Sequence, residues 1–230
     1  MNLPNVAIGL VTYRRTEEAL RTVKSTIENL NYPKDKRAWY IGDDGSDVKH
    51  FASILSLLEM SGEKIIGYHS ERLRHAGQED THNAGIGWNK VLGLCHQYSD
   101  FVLFLEDDWE LDEPLDLEKS VEVITDNDDV GLVSYRILSV GADVHTVGYK
   151  GEIYLKYHRS TQYAYSGNPY LRHARFTKAY GTFAEDRNPG LMELHMDDQY
   201  RLRTGPDIWR PLSISQWGAW KHIGHDKTWR

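Results

Sequence analysis

Phe101-Val102-Leu103-Phe104-Leu105 is an uninterrupted apolar run that stops abruptly on Glu106-Asp107-Asp108. Five consecutive apolar residues without alternation read as a strand buried on both faces, the kind found at the centre of a parallel sheet. Three carboxylates at the end of such a strand repel one another, and a divalent cation removes that cost. Hard oxygen ligands with room left for phosphate oxygens suit Mg²⁺ or Mn²⁺. As local chemistry alone, the cluster reads equally well as an acidic loop running on into Glu110, Asp112 and Glu113.

The residues before this run repeat one pattern. Val6 to Thr12 is a buried strand that enters Tyr13-Arg14-Arg15, and Thr16 is placed to cap a helix carrying Leu20, Val23, Ile27 and Leu30. Arg37 to Ile41 is a second strand opening into Gly42-Asp43-Asp44-Gly45-Ser46-Asp47, where Asp47 is an N-cap for a helix carrying Phe51, Leu55 and Leu58. Ile65 to His69 is a short strand, Ser70 to His82 a polar loop, and Asn83 to Tyr98 a helix. Alternating strands and helices predict a mostly parallel sheet with helices on both faces. Ligands bind such sheets outside the carboxyl ends of the strands, so Thr12-Tyr13, Asp43-Asp44 and Glu106-Asp108 are expected to meet in one crevice. On its own, Asp43-Asp44-Gly45-Ser46 is also ordinary turn chemistry.

Composition narrows the function classes. The chain has 230 residues, 40% hydrophobic and 27% charged, which suits one packed α/β unit. Its net charge of -7 does not favour a polyanionic partner, although Arg172, His173, Arg175 and Lys178 form a local basic stretch. The single cysteine, Cys95, sits beside Val91 and Leu92 and reads as a small core residue; no CxxC zinc site exists. No secretory leader is visible, and no apolar run approaches the ~20 residues that span a bilayer, so a soluble, cytoplasmic protein is expected. Walker A, three-glycine dinucleotide and GxSxG patterns are absent.

Four motifs in fixed order are more specific than any one of them. Strand-Thr12-Tyr13-Arg14, strand-Asp43-Asp44-Gly45-Ser46-Asp47, Asn83-Ala84-Gly85 with Asn89, and strand-Leu105-Glu106-Asp107-Asp108 together resemble the family 2 glycosyltransferases over roughly residues 5 to 112. The resemblance implies a GT-A fold, Rossmann-like, within one catalytic domain. Residues 1–112 would form its nucleotide-sugar half, and 113–230 a smaller acceptor half. It places Thr12, Tyr13, Arg14, Asp43, Asp44, Arg72, Asn83, Gly85, Glu106 and Asp107 around a nucleotide-sugar donor. Asp44, with Asp43, would hold the base; Arg72, in the polar loop, either reaches the diphosphate when that loop closes or is solvated, and the first reading is favoured. Asp108 matches the last position of the family's DxD motif and is the main candidate ligand for Mn²⁺ or Mg²⁺. Glu106 stands where the first aspartate of that motif usually sits.

The second half resembles the family more weakly. A helix is expected near Leu117 to Ile124, an apolar stretch over Val130 to Tyr135, strands at Ile153–Tyr157 and Thr161–Tyr165, and a helix over Gly190–Leu202. Ser166-Gly167-Asn168-Pro169 is similar to the family's acceptor-side loop. Met196-Asp197-Asp198 is similar to the acidic helix that carries the general base. The segment around His222, with His225 as the alternate, is similar to a C-terminal histidine that completes the metal site. Leu194, Asp198 and Leu202 are four apart on a helix, which favours Asp198 over Asp197 as the inward carboxylate.

The reaction this implies is sugar transfer from a nucleotide donor, UDP-sugar by resemblance, with inversion at the anomeric carbon. The acceptor is left open among a glycan, a protein, a lipid-linked intermediate and a modified nucleic-acid base, and no feature sets the oligomeric state. A metal-dependent nucleotidyltransferase and a non-catalytic sugar-nucleotide or glycan-binding module are the rival readings.

Overall fold

In the computed structural model, which describes residues 3–71, 84–136, 141–167, 169–214 and 218–224, the apolar run at 101–105 lies inside a nine-stranded sheet. The first half supplies β1 (Val6–Thr12), α1 (Thr16–Asn29), β2 (Leu30–Asn31), β3 (Arg37–Asp43), α2 (Val48–Met60), β4 (Ile65–Ser70), α3 (Ala84–Tyr98) and β5 (Phe101–Glu106). The second half supplies β6 (Trp109–Leu111), β7 (Leu115–Asp116), α4 (Leu117–Asp126), β8 (Val130–Ser134), β9 (Val144–Tyr149) and β10 (Glu152–Tyr157). It continues with β11 (Tyr170–His173), α5 (Ala174–Tyr180), α6 (Pro189–Leu202), β12 (Asp207–Pro211) and β13 (Trp220–His222).

The strand order is β4-β3-β1-β5-β11-β8-β12-β10-β9. Strands β4, β3, β1 and β5 are mutually parallel, as the alternating pattern predicts. Only β10 and β11 run against the other strands of this sheet, so it is mostly parallel.

Side-chain alternation along the central strands builds two cores. Val6, Ile8 and Leu10 of β1 and Phe101, Leu103 and Leu105 of β5 face α1, α2 and α4. Ala7 and Val11, with Val102 and Phe104, face α3, α5 and α6. Each fully buried Leu or Phe contributes roughly 1.5–3 kcal/mol of transfer free energy, which is why β5 has no polar residue until Glu106. Cys95 is fully buried in the second core, and burial pushes its thiol well above the ordinary range, in keeping with a packing role.

Asp47 caps α2, accepting from His50 N at 2.8 Å. Thr16 does not cap α1. The N-cap is Arg15 and has no side-chain cap bond, while the Thr16 hydroxyl is occupied by His50 Nδ1 at 2.9 Å. Thr161–Tyr165 is not a strand. It forms turns whose amides at Tyr163 and Tyr165 are taken by the carboxylate of Asp197 at 2.9 and 3.0 Å.

The stretch Arg172–Lys178 is not a basic surface patch. Arg172 is fully buried, with Nε donating to Thr177 Oγ1 and Nη2 to Gly181 O, both at 2.8 Å. Arg175 donates to the carbonyls of Ile124 and Asn127. His173 pairs with Phe101, at the opposite end of β5 from Glu106. Five strand residues separate the two ends by ~17 Å, so this stretch lies away from the crevice and offers nothing to an acceptor there.

Candidate active site

The carboxyl ends of β1, β3 and β5 open onto a single cleft. One cavity is lined by Thr12, Tyr13, Asp43, Asp44, His69, Trp88, Glu106 and Asp107, among others. A second cavity adjoins it through Arg15, Trp88, Glu106 and Pro189, and adds Asp108, Trp109, Gly190, Glu193 and His222. The structure thus brings together the three strand ends that the sequence pattern predicts.

Within the first cavity two carboxylates are already committed. Asp43 is almost fully buried and accepts from Ser46 N, Ser46 Oγ and Ser70 Oγ at 3.0, 2.5 and 2.6 Å. That closes the loop and leaves Asp44 beside it on the cavity wall. Asp107 accepts from Thr12 Oγ1 at 2.9 Å and Tyr13 N at 2.8 Å. Burial, with the neighbouring Asp108, pushes its carboxyl up to about 7.

Because Thr12 has one hydroxyl proton and gives it to Asp107, His50 Nε2 donates to Thr12 Oγ1 at 2.8 Å, and His50 Nδ1 accepts from Thr16. Burial lowers the His50 pKa, consistent with this neutral ring. Asp43 and Asp107 therefore shape the cavity rather than offer free carboxylates to a ligand.

Arg14 does not line either cavity. It is exposed, its φ is 61°, and its amide donates to Ser46 Oγ at 2.8 Å, which ties the β1 and β3 loops together. Gly85 also has a packing role. A Cβ there would meet the backbone of Ala184 and Glu185, in a segment held by Asn89, which donates to Phe183 O and accepts from Phe183 N, both at 2.9 Å. Gly85→Ala is expected to cost about 1–3 kcal/mol through overpacking against backbone. Differential scanning should show Tm falling by several degrees, and an unchanged Tm would contradict this packing account. Arg72, Asn83 and His225 lie outside the described residues.

In the second cavity the C-terminal segment folds back as expected. Strand β13 pairs with β6, Ile223 N donates to Asp108 O at 2.8 Å, and His222 Nε2 lies 3.1 Å from Asp108 Oδ2. Burial alone would raise the Asp108 carboxyl, but His222 and Arg15 outweigh it and hold it below its ordinary value. The same hydrogen bond raises the His222 pKa against the opposing effect of burial. Asp108 Oδ1 is buried without a hydrogen-bond partner, a cost that a cation would remove.

Among the described residues no group of three or more His, Cys, Asp or Glu side chains is arranged to hold a metal ion. Asp108 and His222 offer two ligands. That fits a cation held jointly by protein and substrate phosphates rather than by an all-protein cage.

Helix α6 presents a different carboxylate from those expected. Its inward face is Pro189, Met192, Met196, Asp197 and Tyr200, all buried, whereas Leu202 is 82% exposed. Asp198 points to solvent, its side chain 60% exposed and 3.7 Å from Arg201. Asp197 is the buried member, and both of its oxygens are spent on backbone amides.

One turn earlier, Glu193 faces the cavity and accepts from Gly167 N at 2.8 Å. Burial raises its pKa above the ordinary carboxylate range. Burial also raises Glu106 well above that range, with Asp108, Glu193 and Asp107 adding to the effect. A Cβ at Gly167 would collide with both Glu106 and Glu193, so the two carboxylates converge on this glycine. Arg15 and Glu193 are the site residues that sequence reasoning missed. Glu193 shares its side of α6 with Pro189, Met192, Met196 and Tyr200, which recur at helical spacing, but the leucines offer a competing stripe.

No protein-family model matches the sequence, and no curated protein matches it. Solved structures do match. TarS from S. aureus, in a 1–349 form in complex with UDP-GlcNAc, superposes with a TM-score of 0.61 at 13% identity, over 97% of this chain and 62% of that one. The same 1–349 form in complex with UDP gives 0.60 at 14%, over 90% and 60%. The mannosyltransferase PcManGT from Pyrobaculum calidifontis, in complex with GDP-Man and Mn²⁺, gives 0.57 at 14%, over 91% and 57%. The fold is that of the GT-A glycosyltransferases. The chain spans 36% of the longer TarS chain it matches and about three-fifths of the shorter forms. Among the described residues no helix is long and apolar enough to cross a membrane.

Proposed function

We propose that this chain transfers a sugar from a nucleotide-sugar donor, with UDP as the nucleotide, to a hydroxyl-bearing acceptor with inversion at the anomeric carbon. One observation carries the reading: the cleft at the ends of β1, β3 and β5 runs directly into a cavity lined by Asp108, His222 and Glu193. The fold likeness to TarS bound to UDP-GlcNAc and to a mannosyltransferase bound to GDP-Man and Mn²⁺ supports it.

Thr12, Tyr13 and Asp44 would hold the base and ribose, with Asp43 and Asp107 fixing the loops that carry them. A divalent cation, Mn²⁺ or Mg²⁺, held by Asp108 and His222 would supply charge neutralisation at the departing diphosphate. Glu193 would accept the acceptor's proton as the new glycosidic bond forms, and burial makes it a stronger base than an exposed carboxylate. Glu106, between the two cavities, would hydrogen-bond the ribose or the transferred sugar. Trp109, which lines the second cavity 5.0 Å from the His222 ring, would offer an acceptor an aromatic surface.

Thermal-shift titration with UDP and UDP-sugars, with Mn²⁺ and with chelator, tests the donor site. Stabilisation by UDP is expected to be weak with chelator and clear with Mn²⁺, about 2.7 kcal/mol at a hundredfold excess over Kd. Equal stabilisation in both conditions would refute a metal-bridged diphosphate. Release of pyrophosphate in place of nucleoside diphosphate would instead assign a nucleotidyltransferase, and binding without turnover a sugar-nucleotide-binding module.

A further inference from the structure

Arg15 brings a positive charge to the carboxylates that follow β5. Its side chain is 14% exposed, and one guanidinium nitrogen, Nη1, contacts Asp108 Oδ2 and lies 3.5 Å from Asp107 Oδ1. It lines both cavities, so it stands at their junction, where a diphosphate joining a base in the first to a sugar in the second would pass. Among the described residues lining either cavity, it is the sole Arg or Lys. A Cβ at Gly224 would approach Arg15 Nη1 to 3.1 Å and Asp108 Cβ to 2.9 Å, so the C-terminal segment packs closely around this pair.

We infer that Arg15 is a switch that couples cation binding to diphosphate binding. The inference rests on the donor reading above. In this arrangement the guanidinium neutralises Asp108 and would compete with a divalent cation for the same carboxylate. A cation on Asp108 repels the guanidinium, which must leave Oδ2. Asp107 Oδ1, 3.5 Å away, can keep hold of one edge of it, and the donor diphosphate would offer its other edge a match for the guanidinium fork. Each ligand then makes the other's binding more favourable, because breaking the Arg15–Asp108 pair is a cost of cation binding that diphosphate binding offsets. Arg15 is a positioning and specificity residue here. It favours donors that bring a diphosphate and suppresses occupation of Asp108 by free metal.

The test is direct titration of Mn²⁺ by electron paramagnetic resonance and calorimetry, with no turnover required, on the wild type, Arg15→Gln and Arg15→Lys. Each protein is titrated alone, with UDP and with uridine. Arg15→Gln is expected to bind Mn²⁺ about tenfold more tightly without nucleotide, and the enhancement by UDP should shrink by about the same factor, within the usual range of coupling between sites. Uridine, which lacks phosphates, should bind both proteins alike. Arg15→Lys keeps the charge but not the fork, so it should show the same rise at smaller size, and it carries the test if the Gln variant does not fold. Unchanged or weaker Mn²⁺ affinity in the folded variants would overturn the switch while leaving the donor site in place. A wild type that binds no Mn²⁺ even with UDP would overturn the donor reading and the switch with it.

Discussion

Replacing Glu193 with Gln is expected to lower kcat by about 10²–10⁴-fold, the usual contribution of a general base. The substitution keeps the shape and still leaves an oxygen to accept from Gly167 N, so the fold and the loop carrying Gly167 should persist. UDP affinity in the presence of Mn²⁺ should change little, because Glu193 lies outside the first cavity, where the base and ribose would sit, and is not one of the proposed cation ligands.

Two controls on the same helix separate this from a general effect of removing acid. Asp198→Asn should leave turnover near normal, since its side chain is 60% exposed and pairs only at 3.7 Å with Arg201. Asp197→Asn should lower stability by about 1–3 kcal/mol, because an amide nitrogen would face one of the backbone N–H groups that its oxygens now satisfy. Steady-state kinetics with melting curves distinguishes the three. Normal turnover in Glu193→Gln together with a large kcat loss in Asp198→Asn, at unchanged Tm, would move the base to the exposed carboxylate and reject the geometry argued here.

The second large effect is expected at Asp108. Asp108→Ala should abolish the Mn²⁺-dependent part of UDP binding and reduce turnover below detection, while metal-independent binding of the nucleoside persists. The orphaned Oδ1 and the bond to His222 both belong to this side chain, so no other described carboxylate replaces it directly. Its chain neighbour Asp107 is no substitute, because Thr12, Tyr13 and Arg15 already take its oxygens.

The fold should survive the substitution. The C-terminal segment is held through the backbone of Asp108 by Ile223 N and through the β6–β13 pairing, neither of which needs the carboxylate. His222→Ala should weaken Mn²⁺ binding less than Asp108→Ala does, because a neutral ligand is lost instead of a charged one. Calorimetric titration of Mn²⁺ and UDP checks both, and full Mn²⁺ dependence in Asp108→Ala would place the cation elsewhere.

The sequence by itself determined the architecture of the first half and the position of the cleft. Strands buried on both faces are apolar along their middles, so β1, β3 and β5 announce themselves as runs, and the polar residues that close them must lie where the sheet ends. The meeting of Thr12, Asp43-Asp44 and Glu106-Asp108 follows from that parallel topology alone. The return of His222 to Asp108 came from resemblance, and the β6–β13 pairing provides it.

Only the tertiary structure decided which carboxylates are available and which are spent. Asp43, Asp107 and Asp197 look like ligand-binding acids in sequence, yet each is consumed by amides or hydroxyls brought from elsewhere in the fold or around a turn. Glu193 and Arg15 look unremarkable in sequence, yet the packing turns both into the cleft. The rotation of α6 is not the one its leucines predict. Met192, Met196 and Tyr200 fill the core instead, and Leu202 is left in solvent. Helical spacing offers more than one apolar stripe when a helix is rich in Leu, Met and Tyr. The choice between stripes is made by the surface the helix packs against, which no local pattern contains.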